Sequence, residues 1–333
     1  MRKHNLKLSY LSQYGIVVFL VLLCAYFTYR TNGIFITPEN IANVSRQVAI
    51  NTILAVGLTF VIITGGIDLS VGSVLALAGV ISMTVLKDGF SVGSAMLIPQ
   101  LPMLLAIPLS TVIAGMVGAG CGIFSGLMVT RFRMAPFVAT LAVMTIARGL
   151  AYVYTDGRPV SPLPMEVGDF GASELSLGVL GFPTLVLIAL LVVAVGHIVI
   201  SRTNFGRHVY AIGGNEEAAR LSGVNINLAK LKVYALCGLL SGLAGMLLAT
   251  RLASGDPKSG LGFELNAIAA VVLGGTSLMG GRGTVIGTLL GALVIGVLDN
   301  GLILLDVSAF YQMVVKGFVI LAAVILDGLT RGK

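Results

Sequence analysis

FGRHVYAIGGNEEAARLSGVNINLAKLK, Phe205 to Lys232, interrupts a strongly apolar chain with charge. With Arg202 just upstream, it carries Arg207, Glu216, Glu217, Arg220, Lys230 and Lys232. The flanks, Leu175 to Ser201 and Val233 to Thr250, contain no Asp, Glu, Lys or Arg. An apolar helix needs about 20 residues to cross hydrocarbon. The quoted segment therefore reads as a water-facing loop between two such helices, and it decides the fold: a chain threaded repeatedly through a membrane.

Composition extends that reading to the whole chain. Its 333 residues are 56% hydrophobic and 11% charged, with a mean hydropathy of +1.00, whereas soluble domains run near a quarter charged. Forty-three glycines and no tryptophan suit closely packed helices in lipid. The expected class is an all-α integral membrane protein. Cys24, Cys121 and Cys237 fall within apolar segments, without a CxxC or a nearby His, and read as small buried hydrophobes. His4, His197 and His208 are scattered, so no metal site is expected. The basic stretch Met1 to Lys7 runs into an apolar segment with no small-residue cleavage site after Tyr29-Arg30, which predicts a retained first helix.

Span length and turn residues predict about ten transmembrane helices: 14–30, 47–64, 71–86, 103–130, 135–154, 182–201, 231–250, 264–279, 284–304 and 309–328. Segments 71–86 and 264–279 are short for a full crossing. If the N-terminus is cytoplasmic, 13 of the 21 lysines and arginines fall on the inner side. Arg131, Arg133, Arg202, Arg207, Lys230 and Lys232 are among them. The positive-inside tendency then predicts that both termini and the opening loop are cytoplasmic. The net charge of +7 fits anchoring against anionic lipid and gives no reason to invoke nucleic acid. The longest external segment, about 155–181, leaves no room for a soluble catalytic domain.

Within the quoted loop, Asn215 followed by Glu216 and Glu217 is a helix start, an Asn cap with acids facing the helix dipole. Gly223 is placed to stop the helix at C′. A helix of Glu216 to Ser222 is marginal alone in water. It is either a connector packed on its own membrane domain or a helix held by a partner.

Other segments carry weaker signals. In GGIDLSVGS, Gly65 to Ser73, Asp68 is either a turn residue ahead of a cap at Ser70, or a residue lining the substrate path or contacting the ATPase-proximal face. GGTSLMGGRG, Gly274 to Gly283, has five glycines in ten residues, which permits close backbone approach or a helix break lining a cavity. The Gly65-Gly66 and Gly280-Gly281 turns look alike, a weak hint of an internal repeat. Arg148, Asp299 and Lys316 lie within spans. Intramembrane charges are functional candidates, yet Asp299 and Lys316 are placed to pair structurally. Three scattered groups make no proton relay, which weighs against an ion-coupled carrier. The spans hold no His/Asp/Glu cluster, which weighs against an intramembrane enzyme. No GxxxxGK[ST] phosphate loop occurs.

Five segments, taken in order, carry a resemblance to a known family. They are ITGGIDLSVGSVLALAG (63–79), APFVATLAVMTIARGLAYVYTDGRPV (135–160), FGRHVYAIGGNEEAARLSGVNI (205–226), ELNAIAAVVLGGTSLMGGRGTVIGTLLGALVIG (264–296) and YQMVVKGFVILAAVI (311–325). The chain resembles the permease subunits of bacterial ATP-binding-cassette importers for sugars of the ribose, arabinose, xylose and allose type. The resemblance implies one permease domain over 1–333, with the vitamin-B12-type importer architecture, in the bacterial inner membrane. It implies no cofactor, no metal and no catalytic residue.

It also implies partners: an ATPase, often two fused domains in one chain, a periplasmic sugar-binding protein and a second permease copy. Lipid surrounds the assembly. The loop 202–230 then holds the coupling helix, with Asn215, Glu216, Glu217, Ala218, Arg220, Leu221, Ser222 and Gly223 at the ATPase. Polar and small residues near helix breaks are the expected translocation path: Asn51, Thr64, Asp68, Ser70, Asn266, Thr276 and Ser277. Arg158, Arg251, Asp256 and Lys258 are the expected platform for the binding protein. The solute is expected to be ribose or a similar aldose.

Overall fold

The computed structural model describes residues 2–92, 95–98, 101–177 and 180–331. Among them the chain is built of helices: α1 (Arg2–Arg30), α2 (Pro38–Ile63), α3 (Val71–Asp88), α4 (Met103–Thr130), α5 (Pro136–Thr155), α6 (Met165–Ala172), α7 (Thr184–Arg202), α8 (Asn204–Gly214), α9 (Glu216–Leu221), α10 (Ile226–Arg251), α11 (Phe263–Leu273), α12 (Val285–Leu304) and α13 (Ala309–Arg331). Two small antiparallel hairpins join them in connections, Phe90–Val92 with Ala95–Ile98 and Glu174–Leu177 with Leu180–Pro183.

Seven of the helices, α2, α3, α4, α5, α7, α10 and α12, are long and apolar enough to cross a membrane. Helix α2 forms the centre. Every residue from Val48 to Ile63 is buried, as expected of a helix that is apolar all round. Helices α10, α12, α7 and α11 pack around it. Rim helices turn Leu104, Phe137, Leu191 and Phe310 outward, a surface suited to hydrocarbon.

The tightest pairing joins α4 to α10, and glycine makes it possible. A methyl at Gly122 would strike the Tyr234 carbonyl, and one at Gly118 would strike the backbone of Gly238 and Gly242. The two backbones therefore touch, as small-xxx-small pairs allow in lipid.

Helices run through nine of the ten expected segments. The exception is 264–279, where α11 stops at Leu273. Gly275 takes φ +83°, and its N–H and that of Thr276 bond back to Val272 O and Val271 O at 2.9 and 3.1 Å, a glycine-terminated helix end. At about 1.5 Å per residue, these 11 residues fall well short of the roughly 30 Å of hydrocarbon. Helix α2 starts at Pro38 rather than 47, because Thr37 caps it and Pro38 occupies its first turn.

The charges within spans serve structure. Lys316 Nζ meets Asp299 Oδ2 at 3.0 Å, the pair expected from sequence. Arg148 donates to the carbonyls of Pro257 and Ser259 at 2.6 and 2.7 Å, holding the loop beyond α10.

Candidate functional site

One end of the bundle gathers the ends of α2, α4 and α7, the starts of α5 and α10, and the α8–α9 pair between them. Arg131, Arg133, Arg202, Arg207, Lys230 and Lys232 lie in these stretches.

Helix α9 is built by local chemistry. Asn215 Oδ1 accepts the Ala218 N–H at 2.9 Å, and the acids Glu216 and Glu217 occupy the first turn. At the far end Gly223 adopts φ +85°. Its N–H bonds to Arg220 O at 3.0 Å, and that of Val224 bonds to Ala219 O at 3.1 Å, the paired closure that a left-handed C′ residue permits. Both sequence signals sit where they were read. The helix has six residues, ending at Leu221.

Support for so short a helix is partly internal. Ala219 is buried in a small cluster with Ile212, Ile226 and Ala229, and Lys230 Nζ bonds Glu216 Oε2 at 2.7 Å. The opposite face is free of such packing: Leu221 is 83% exposed, and Glu217, Ala218 and Arg220 are exposed beside it. Arg220 lies 3.7 Å from Glu216 and 3.9 Å from Glu217, exposed contacts worth about 0–1 kcal/mol.

Beside this face opens a cleft of about 1060 Å³ between the α4–α5 connection and the start of α10. Arg131, Arg133, Arg220 and Lys230 supply its cations, and Glu216 its carboxylate. Val129, Met134, Pro136 and Ile226 give it apolar ground. Since Lys230 already holds Glu216, the cleft presents net positive charge.

The expected path residues divide. Thr64, Asp68 and Ser70 occupy the connection from α2 to α3, and Thr276 and Ser277 the connection from α11 to α12; all five are buried. These connections touch: Gly281 donates its N–H to Ile63 O at 2.8 Å, and a Cβ on Gly280 would lie 2.9 Å from Gly65 N. The two Gly-Gly turns that look alike in sequence are thus packed on each other. Asp68 accepts the Ser70 N–H at 2.9 Å and its hydroxyl at 2.6 Å, so it shapes the turn that leads into α3. Thr276 Oγ1 is buried without a hydrogen-bond partner. Asn51 lies about 18 Å up α2 at ~1.5 Å per residue, with its Oδ1 also unpartnered. Asn266 is half-buried in the first turn of α11. These two do not join the paired turns.

At the opposite end, Val160 and Gly255 exchange backbone hydrogen bonds at 2.8 and 3.2 Å. They bring the stretch after α5, with exposed Arg158, beside the stretch after α10, with exposed Lys258. Two segments far apart in sequence thus form one surface. Asp256 turns inward on its own loop, accepting the Lys258 N–H at 2.8 Å, and Arg251 donates to Asn43 Oδ1 at 2.9 Å.

Sequence reading missed three contributors. The α4–α5 connection was read only as cytoplasmic charge, yet it is one wall of the cleft. Tyr210 and Gly213 of α8 contact the glycine turns, and only their helical spacing from Phe205 and Gly206 hinted at a buried face.

A family model described as the branched-chain amino acid transport system / permease component matches residues 40–324. The chain belongs to that family. It is 47% identical over 296 residues to the ribose import permease protein of Haemophilus influenzae, covering 89% of this chain and 87% of the relative. It is 44% identical over 327 residues to the ribose import permease protein of Escherichia coli K12, covering 98% and 96%. With the xylose transport system permease protein of Escherichia coli K12 it shares 34% identity over 387 aligned positions, covering 99% and 95%. No solved structure matches.

Proposed function

We propose that this membrane permease carries ribose, or an aldose of closely similar shape, through the bacterial inner membrane as one subunit of an ATP-binding-cassette importer, with α9 as the seat of the ATPase. Ribose comes from the names of the relatives that match most of the chain. The chain itself makes and breaks no covalent bond: ATP is hydrolysed by the partner, and two permease copies enclose the path.

One observation carries the ATPase contact. A capped, six-residue helix presents Glu217, Arg220 and a nearly fully exposed Leu221 next to an open basic cleft. A single exposed leucine is ordinary on a surface; what points to a partner is its place on a short capped helix beside a basic cleft, where it can anchor in a partner groove. Cations on the same end of the bundle support assigning it to the cytoplasm. Helix α11 together with its connection to α12 then makes one of about ten crossings in the vitamin-B12-type arrangement, and both termini lie on that side. The surface formed by Arg158, Lys258 and their neighbours faces the periplasm and takes the binding protein. The buried turns carrying Thr64, Asp68, Ser70, Thr276 and Ser277 border the sugar path, with Asn51 and Asn266 farther along it.

Reversing Glu217→Lys or Arg220→Glu tests this reading. Both side chains are exposed, so membrane insertion and thermal stability should stay as in the native protein. Co-purification of the ATPase should drop, and sugar uptake with it. Normal assembly and uptake by both variants would reduce α9 to a connector.

A further inference from the structure

Helix α8 leads into α9 and rests on the two glycine turns through three separate contacts. Phe205 stacks on Phe60 of α2, with ring centroids 6.2 Å apart and planes 17° from parallel. The Tyr210 hydroxyl donates to Gly283 O at 2.7 Å, across 73 residues of sequence. Gly213 lies directly on the α2–α3 and α11–α12 turns. A methyl there would drive into the Ile63 carbonyl and the Gly281 amide nitrogen, and that carbonyl already accepts the Gly281 N–H. These contacts are spaced along one buried stripe of α8, with Gly206, Val209 and Ile212 between them.

The arrangement has a mechanical consequence. Asn215 both ends α8 and caps α9: its N–H bonds back to Ala211 O at 3.0 Å, while its side chain caps the next helix. The two short helices are therefore joined without slack. Displacing α9 tilts α8, and α8 bears on a backbone junction with no side chain between the strands of chain to absorb the movement. Interiors packed this closely respond by shifting as a body rather than by deforming gradually. Both turns at the junction break membrane helices, and both carry the buried polar residues of the expected path.

We propose that Tyr210 and Gly213 are the positioning residues that pass movement of α9 to the broken helices α2–α3 and α11–α12. The inference rests on α9 being the ATPase contact. Tyr210 Oη fixes the far wall of the junction at Gly283, and Gly213 supplies the bare backbone on which the two turns meet. Burial pushes the Tyr210 phenol above its ordinary value, so it remains the donor at neutral pH.

The test uses the whole importer, permease with ATPase and binding protein, reconstituted in proteoliposomes with ribose. Uptake and ATP hydrolysis are measured in the same vesicles. Tyr210→Phe deletes one oxygen and leaves the ring packing in place. It should retain the ATPase at the native ratio and keep hydrolysis stimulated by loaded binding protein, yet move severalfold fewer sugars per ATP. Gly213→Ala should lower the same ratio further, and if that variant fails to assemble, Tyr210→Phe decides. An unchanged ratio overturns the proposal. So does a parallel loss of bound ATPase and uptake, which would make Tyr210 a residue that merely holds the loop. Failure of the ATPase contact itself would show separately, as normal co-purification after reversal of Glu217 and Arg220.

Discussion

Replacing Gly223 separates backbone geometry from side-chain contact at the end of α9. The residue has φ +85°, and no atom lies within 4 Å of where a Cβ would stand. A side chain there meets open space, so its whole effect comes from holding an L-residue in the left-handed region, roughly 1–2 kcal/mol for alanine and more for a β-branched residue. The two closing bonds from Gly223 and Val224 depend on that turn, at about 1 kcal/mol each. Gly223→Val should therefore weaken the Asn215–Val224 unit by roughly 2–4 kcal/mol. At about 1.4 kcal/mol per factor of ten, its open population rises on the order of 30- to 1000-fold. Hydrogen exchange at the amides of Ala218, Ala219, Ser222 and Val224 in the purified permease reads this directly, and it should accelerate there while α2 and α10 stay protected. Gly214 is the control. It too has nothing within 4 Å of its Cβ position, but it ends α8 without a positive φ, so Gly214→Ala should exchange like the native protein. Gly223→Asn should fall between, since Asn tolerates the left-handed region. Native exchange in Gly223→Val, or equal effects of alanine at 214 and 223, would refute the reasoning.

Other consequences follow from the bundle. Gly122→Leu should unfold or mis-assemble the α4–α10 contact, because its side chain would have to occupy the space of the Tyr234 carbonyl; the expected loss is roughly 1–3 kcal/mol or more, read as a lower thermal midpoint in detergent. Lys316→Met should destabilise by about 3–5 kcal/mol by leaving Asp299, 3% exposed, without its cation. Adding Asp299→Asn should restore most of that midpoint. Cysteines at Thr64, Ser70, Thr276 and Ser277, in a background lacking Cys24, Cys121 and Cys237, should resist a water-soluble thiol reagent in the permease alone. They should gain reactivity in some nucleotide state of the assembled importer, and unreactivity in every state would remove them from the path.

What could be read from sequence was local. Asn215 and Gly223 were legible because capping and chain reversal are decided within a few residues, and the apolar runs of α4, α5, α7 and α10 because length alone marks them. The start of α2 is hidden in the sequence because Glu39, Asn40, Asn43 and Arg46 make its first turns look water-exposed. The structure gives three of them partners far along the chain: Asn40 and Asn300 exchange amide bonds at 3.0 and 2.9 Å, Asn43 accepts from Arg251, and Arg46 pairs with Glu174. The end of α11 is hidden because Gly274 and Gly275 look ordinary inside a membrane span until Gly275 adopts a positive φ. The cleft was not legible, and of the α8 junction only the likeness of the two glycine turns and a helical spacing in α8 were. Each is assembled from segments far apart in sequence, and only tertiary packing brings Arg131 and Glu216 into one cleft or Tyr210 beside Gly283.

The proposed meeting of α9 with the ATPase puts Leu221 at the point of contact. A photo-activated cross-linking side chain placed at Leu221 of the assembled importer, in native-like membranes, tests this most directly. The result predicted is a covalent adduct with the ATPase that forms in high yield and disappears when the probe is moved to buried Ala219. An assembled, transporting importer in which the Leu221 probe labels only lipid or the permease itself would contradict it.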